Sequence, residues 1–460
     1  MRWASSVQVS SILLVLASGA LSGFLLALSL PPSDGWWLGP VCLAPVLAAV
    51  GGRGLMQGFI GGITVPFVAA TAVRLGLILH GTVEGGSPEW LYAGFGFFGF
   101  AIALVCCVAS EAKSSGWRRV ALLGAVAVLL EFALFPILPA HLALTQYRQA
   151  GMLFLASVGG IWLVSLVLWA ANASFAEALR GGERRPAYAF AALLVTVYAL
   201  GFVPRSPSRS FAKVAAIQTQ ATDPTTLRKL NALVGRQGVE LAVWPEFSGL
   251  EIVPRGDTTD LRTLSAEPGQ PPFVTTFRDN FEPLPHNAAA LFDKGVESAW
   301  YFKRKVFGGE SNMHTPGMVG VSVPWPGHPN LGLGICYDSC YPRMMADTAA
   351  KGAGLIALPT IDPDAADCFI AAAHAAFTPF RAAESGISIV RADGIAYSQI
   401  VDNSGHIVAE MGPRREGVLI GSMPTDRRWT LYSLLGDWVL YLCGLYILGM
   451  AGSSRLGKRP

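Results

Sequence analysis

Seven long apolar runs crowd the first 203 residues of this chain, at roughly 9–30, 36–52, 55–80, 89–110, 118–138, 151–175 and 187–203. A helix needs ~20 apolar residues to cross ~30 Å of hydrocarbon, and most of these runs reach that length. The second and seventh are the short ones. An eighth run, about 429–451, stands alone after a polar stretch. Hydrophobic residues make up 52% of the 460 positions and charged residues only 14%. A soluble domain carries about a quarter charged residues, so much of this chain belongs in lipid. The first run follows only Arg2, has no convincing small-residue cleavage site and leads straight into further runs, so it reads as a retained helix.

Basic residues set the expected orientation. With the N-terminus inside, the inner loops hold Arg53, then Lys113, Arg118 and Arg119, then Arg180, Arg184 and Arg185, and the tail adds Arg455, Lys458 and Arg459. The outer loops hold Asp34, Glu84 and Glu89, with Arg148 the one exception. Seven crossings then place residues 204–428 outside the cytoplasmic membrane, and the eighth returns the tail inside. Arg74, His80 and Glu131 fall in or near spans, where polar groups are costly. Each is either functional or part of an interfacial or internal ion pair. A net charge of +3 excludes the clustered basic footprint of a nucleic-acid binder.

A proline- and serine-rich linker, Val203–Ser210, marks a boundary. Beyond it, short β-rich runs (Val214–Gln218, Leu241–Val243, Ala288–Phe292, Leu331–Ile335, Gly354–Ala357, Ser388–Arg391, Ser398–Val401) alternate with helical stretches such as Thr225–Gly238 and Ala365–Gly386. That alternation predicts a layered α/β fold. The expected division is a membrane domain over 1–205, a catalytic domain over 212–425, and a final helix with a basic tail over 429–460.

Three apolar runs in the polar part end in groups with chemistry. Leu331–Ile335 delivers Cys336, with Gly332 and Gly334 allowing close backbone approach. Leu241–Val243 leads to Glu246, and Tyr301-Phe302 leads to Lys303, with Lys305 as a competitor. A free thiol has a pKa near 8.5, so it needs a base before it can attack; Glu246 can take its proton and return it to a leaving group. A lysine beside them can stabilise the oxyanion of a tetrahedral intermediate.

The order Trp244-Pro245-Glu246, Tyr301-Phe302-Lys303, Cys336-Tyr337-Asp338, spaced by 57 and then 33 residues, resembles the nitrilase (carbon–nitrogen hydrolase) superfamily. With the apolar N-terminal half, the chain resembles the apolipoprotein N-acyltransferase family. Ser29-Leu30-Pro31-Pro32, Leu43–Leu47, Phe135-Pro136, Gln149-Ala150, Gly159-Gly160 and Asn172 carry that likeness into the membrane half. The resemblance implies about eight transmembrane helices and an extracytoplasmic α–β–β–α sandwich. It implies a Glu246–Lys303–Cys336 triad and support from Glu310, Tyr337 and Asp338. It further implies scaffold roles for His374, Arg381, Glu384 and Arg391. Tyr301 two residues before Lys303 matches the family pattern, which favours Lys303 over Lys305.

The implied reaction moves an acyl chain from a phospholipid, through a Cys336 thioester, to the amino group of a diacylglyceryl-modified N-terminal cysteine on a lipoprotein. Phospholipid, lipoprotein and bilayer are the expected partners, with the chain a monomer in the bacterial cytoplasmic membrane and no metal or organic cofactor required. Two departures stand out. The acyltransferases usually have glutamate where this chain has Asp338, and residues 359–368 lack the family's Trp-Phe pair. Both leave room for a membrane-tethered amidase or nitrilase acting on a small amide or nitrile. A catalytically inactive membrane scaffold is the third reading, opposed by the intact Glu246, Lys303 and Cys336. Among seven cysteines, Cys340 and Cys368 can pair in an oxidising compartment or remain separate thiols.

Overall fold

The structure, a computed structural model, describes residues 2–79, 89–136, 140–203, 208–248, 256–281, 283–362 and 368–456. His80 and Glu84 lie outside the described residues, as does the side chain of Cys368 with its pairing. The chain divides into two compact units, 1–202 with 435–460, and 203–434.

The first unit is helical: α1 (Arg2–Ser29), α2 (Ala44–Val50), α3 (Leu55–Leu79), α4 (Glu89–Glu111), α5 (Gly116–Leu134), α6 (Ala150–Leu179), α7 (Arg185–Leu200) and a C-terminal helix, Trp438–Leu456. Among the described residues, four stretches are long and apolar enough to cross a membrane, Val9–Ser29, Leu55–Gly76, Leu91–Glu111 and Ala150–Leu179; Arg185–Leu200 and Trp438–Ala451 are shorter apolar helices. Small residues let the helices close on one another. A Cβ on Gly23 would stand 2.4 Å from the Val65 carbonyl oxygen, and one on Gly62 would stand 2.4 Å from the Ala103 Cα.

The run at 36–52 does not form one long helix. It folds as a 3-10 turn, Trp36–Leu38, and then the seven residues of α2, which span about 10 Å. Pro40 and Pro45 lack the N–H groups a continuous helix would need, and Pro45 sits where a helix tolerates it, in the first turn. The segment still returns along α1. Asp34 lies just past the end of α1, whereas Arg53 Nε donates to Ser11 Oγ at 3.2 Å, near its beginning.

Polar residues of this unit gather into two groups. One holds Arg53, Arg119, Glu177 and Arg180: the Gly52 N–H donates to the Ser110 carbonyl, and Glu177 lies 3.5 Å from Arg119 and 3.9 Å from Arg180. The other joins the α1–α2 and α5–α6 connections. Gln146 Nε2 donates to the Trp36 carbonyl (2.7 Å), Tyr198 donates to Gln146 (2.9 Å), and Arg148 pairs with Asp34 at 3.0 Å while lying over the Tyr147 ring. Arg148, the exception to the charge bias, is therefore neutralised by Asp34. Glu131 proves to be a buried anchor: it accepts from Trp169 Nε1 (2.8 Å) and the Leu142 N–H (3.0 Å), and faces His141 Nδ1 at 3.2 Å. Gly159 and Gly160 leave helical geometry and kink α6, and the indole N–H of Trp438 donates to the Val158 carbonyl at that point.

The second unit contains two sheets. One runs β13-β1-β2-β3-β4-β5 (β1 Phe211–Gln218, β2 Leu241–Val243, β3 Phe273–Arg278, β4 Asn287–Asp293, β5 Val296–Glu297, β13 Gly417–Pro424), with β6 (Tyr301–Phe302) also paired to β4. The other runs β12-β11-β10-β9-β8-β7 (β7 Val321–Val323, β8 Asn330–Leu333, β9 Ala353–Thr360, β10 Ser388–Asp393, β11 Ser398–Val401, β12 Ile407–Met411). Alternation along each strand sorts the side chains into three cores. Val214 and Val243 of the first sheet meet Leu333, Leu355 and Val390 of the second. Ala215, Ile217 and Phe273 face Leu227 and Val234 of α8 (Pro224–Gly235) and Leu261 and Leu264 of α9 (Thr259–Ala266). Ile356 and Ile389 face Met345 and Ala349 of α10 (Pro342–Ala350) and Ala382 of α12 (Phe377–Ser385), which follows α11 (Cys368–Ala375). The order of layers is α–β–β–α. Strands buried on both faces read as continuous apolar runs, which is why β2 and β9 are visible in sequence.

Candidate active site

Glu246, Lys303 and Cys336 each stand just beyond the end of a strand. β8 gives out at Leu333, and Gly334 and Ile335 carry the chain to Cys336, the first residue of a 3-10 turn, Cys336–Cys340. Gly332 is needed for space: a Cβ there would stand 2.7 Å from Thr348 Cγ2 and 2.9 Å from Ile356 Cγ1. Cys336 has φ +45°, a left-handed conformation that a residue with a Cβ holds only when its surroundings impose it. Glu246 lies three residues past β2, and the next residue, Phe247, is also left-handed at +63°. Lys303 follows β6 directly, and Glu310 sits in a 3-10 turn, Gly308–Asn312.

The structure brings Glu246, Lys303 and Glu310 into direct contact. Lys303 Nζ, 2% exposed, donates to Glu246 Oε1 at 3.0 Å and to Glu310 at 2.9 and 2.7 Å. Two carboxylates thus hold one buried ammonium. Burial by itself would lower the lysine pKa; the charges of Glu246 and Glu310 and the hydrogen bond to Glu310 outweigh that and hold it above its ordinary value. Glu246 is fixed on both oxygens, by Asn287 Nδ2 on Oε1 (2.7 Å) and the Ile361 N–H on Oε2 (3.1 Å). Cys336 is buried, and its Sγ–H points to the Ile361 carbonyl at 3.8 Å. Burial pushes the thiol pKa well up, and the charge of Glu246 adds to that, while Lys303 pulls the other way. A resting cysteine in this setting keeps its proton, so the chemistry needs a base at hand.

Lys305, the competing lysine, lies apart from this contact, with its Nζ 4.7 Å above the Tyr341 ring. Tyr337 packs edge-on against Phe307 (4.9 Å), Tyr341 and His374, and burial pushes its hydroxyl pKa up. Asp338 is wholly buried and fully engaged. Oδ2 accepts from Tyr301 (2.5 Å) and the Ile335 N–H (3.1 Å), and Oδ1 accepts from the N–H groups of Arg304 (3.2 Å) and Lys305 (2.8 Å). It ties the segment bearing Lys303 to the elbow bearing Cys336. Burial raises its pKa, opposed by those hydrogen bonds and by Lys303. Replacing Asp338 with alanine would strand four buried donors. We expect a loss of about 3–5 kcal/mol in stability, read as a lowered midpoint of thermal or denaturant unfolding. An unchanged midpoint would mean the tie is dispensable.

Sequence reasoning missed Asn287, Thr360 and Ile361. β9 ends at Thr360, whose carbonyl accepts the Glu246 N–H (3.1 Å), and Ile361 then touches both Glu246 and Cys336. Two backbone groups of one residue therefore bracket the base and the nucleophile. No side-chain signal could reveal that, because backbone atoms do the work. Tyr301 was noticed only as part of a lysine motif, yet its hydroxyl is a direct partner of Asp338. The remainder of the divergent 359–368 stretch, positions 363–367, lies outside the described residues.

Residues 213–428 match the carbon–nitrogen hydrolase family, and residues 22–174 match the apolipoprotein N-acyltransferase N-terminal domain, together about four-fifths of the chain. A protein from Geobacter metallireducens called apolipoprotein N-acyltransferase is 25% identical over 92% of this chain and 92% of its own. The chain belongs to the apolipoprotein N-acyltransferase family. A member of the same family from Nostoc is 26% identical, over 78% of this chain and 80% of its own. Among solved structures, an amidase double mutant of Nesterenkonia, in complex with acrylamide, is 24% identical over 51% of this chain and 100% of its own, with a TM-score of 0.42. Family membership makes the chain a membrane-associated acyltransferase with a nitrilase-type second unit.

Proposed function

We propose that this chain transfers an acyl chain from a phospholipid to the N-terminal amine of a diacylglyceryl-modified lipoprotein. One observation carries the reading: a buried Glu246–Lys303 pair whose charges act on the Cys336 thiol, in a chain that also holds long apolar helices. Glu246 takes the thiol proton as Sγ attacks the ester carbonyl, and Lys303 stabilises the negative oxygen that forms. The intermediate collapses to a thioester, and Glu246 returns the proton to the departing glycerol oxygen, releasing a lysophospholipid. The lipoprotein amine then attacks the thioester and loses its proton to Glu246, and the thiol leaves as an amide forms. Glu310 holds Lys303 in place, while Tyr337 borders the nucleophile and Asp338 secures the elbow.

A small-molecule amidase drew support from Asp338, but a carboxylate held by four protein donors has no reach left for substrate choice. The test is intact mass after incubation with phosphatidylethanolamine. A gain of one acyl chain, removed by hydroxylamine and discharged by a diacylglyceryl peptide, is the expected result. The absence of any adduct would remove the donor half of the proposal.

The proposal includes a membrane domain over 1–205, a catalytic domain over 212–425 and a C-terminal helix with its tail over 429–460. The chain would act as a monomer in the cytoplasmic membrane and cross it eight times, counting the returning 36–52 segment. The group around Arg53, Arg119 and Arg180 would face the cytoplasm, in accord with the excess of basic residues there. An impermeant maleimide added to spheroplasts should then label a cysteine placed at exposed Val296 and spare one placed at Glu183. Labelling of the second site but not the first would invert the topology.

A further inference from the structure

Behind the nucleophile lies a second buried polar cluster that the reaction above does not use. His374 of α11 faces Asp362 through Nδ1 at 2.6 Å. On its other side, Nε2 lies 3.3 Å from the Cys336 carbonyl oxygen and 3.1 Å from Ser339 Oγ. Arg391 of β10 pairs with Asp362, lies 3.2 Å from Asp393, and donates through Nε to the Tyr397 carbonyl (3.0 Å). All five charged or polar side chains are buried. The charges of His374 and Arg391 hold the Asp362 carboxyl below its ordinary value against the effect of burial, whereas burial and Asp362 push Asp393 up to about 7.

Two other uses of the cluster fail on chemistry. Cys336, Asp362 and His374 bring ligand atoms within 4.8 Å of one another, a spacing that suits a metal ion. The Arg391 guanidinium already neutralises Asp362, however, and would repel a divalent cation beside it. Ser339, His374 and Asp362 line up like a hydrolase triad, but Ser339 is wholly buried and its hydroxyl donates to the Cys336 carbonyl at 2.8 Å.

The protons follow from the partners. A carbonyl oxygen has none to give, so a hydrogen bond between Nε2 and Cys336 requires the ring to donate. Asp362 accepts the hydrogen bond from Nδ1–H, and Arg391 fixes Asp362 in turn. The carbonyl that receives these bonds belongs to the one residue whose backbone is held left-handed at the elbow. We infer that His374 is a positioning residue for the nucleophile: its Nε2–H, aligned by Asp362 and Arg391, clamps the Cys336 carbonyl and fixes the backbone from which the thiol projects. The inference rests on Cys336 being the reacting thiol.

The test uses full-length protein in detergent and reads alkylation of Cys336 by iodoacetamide, followed on its own peptide by mass spectrometry. His374→Ala is expected to slow this reaction about tenfold, because small displacements of a reacting group are costly. His374→Gln, whose side-chain N–H can occupy the Nε2 position, is expected to stay within about threefold of wild type. Rescue by glutamine separates a donated hydrogen bond from packing. If His374→Ala does not fold, Asp362→Asn takes its place, with the same tenfold slowing expected. Wild-type alkylation in the alanine or asparagine variant would overturn the inference, as would a glutamine variant as slow as alanine. Acyl-enzyme formation is measured alongside. Its absence in wild type with the alkylation pattern intact would defeat the lipid reading alone.

Discussion

Cys336→Ala is expected to give a folded protein that gains no acyl mass from phosphatidylethanolamine and transfers none to a diacylglyceryl peptide. The expected loss of turnover is at least about 10⁴-fold, the scale on which removal of a covalent nucleophile acts. The fold should survive, since among the described residues the sulfur makes one long hydrogen bond, to the Ile361 carbonyl at 3.8 Å, and alanine keeps the Cβ. The left-handed backbone is held by neighbours rather than by the thiol. Intact mass and a thermal unfolding curve on the same preparation decide the matter. A variant that still acquires a hydroxylamine-sensitive acyl group would place the nucleophile elsewhere, and Cys340, buried four residues on, would be the next thiol to examine.

Lys303→Met is the second change with a large expected effect, and it acts on stability and chemistry together. Methionine matches the length of the lysine stem but leaves Glu246 and Glu310 facing each other without the ammonium that both now hold. Removing one partner of a buried charge cluster costs about 3–5 kcal/mol. Loss of the group that meets the oxyanion should slow acyl-enzyme formation by about 10²–10³-fold. The unfolding midpoint reports the first effect, and the rate of mass gain at a temperature where the variant is folded reports the second. A variant with a lowered midpoint but a wild-type rate would confine Lys303 to a structural role. Glu310 is the side on which the cluster can relax, since its side chain is 17% exposed while that of Glu246 is fully buried.

The two substitutions test different parts of one arrangement. Cys336 supplies the bond that forms and breaks. Lys303 supplies charge at the place where charge develops, and holds the base in line while it waits. Asp338 joins the segments on which these two residues stand. Its carboxylate is taken up by that tie and makes no contact with Glu246 or Glu310 among the described residues.

What the sequence determined by itself was whatever rests on local pattern. Apolar runs long enough for lipid marked most of the helices, because water excludes such segments whatever their neighbours. Strands buried on both faces, β2 and β9, announced themselves as apolar stretches, and β1 and β10 by the apolar runs within them, Val214–Ile217 and Ile389-Val390. Cys336, Glu246 and Lys303 stood out because each follows such a stretch and because their order matched a known pattern. The tertiary structure decided the rest. The 36–52 run broke into short pieces at its prolines, and Arg148, odd by the charge rule, found Asp34 across 114 positions. Glu131 found Trp169 and His141, turning a costly buried carboxylate into an anchor. The grip on Glu246 and Cys336 by the backbone of Ile361 joins residues far apart in the chain through atoms common to every amino acid. Contacts of that kind leave no trace in composition or spacing, because their energy depends on where the chain passes and not on which side chain it carries.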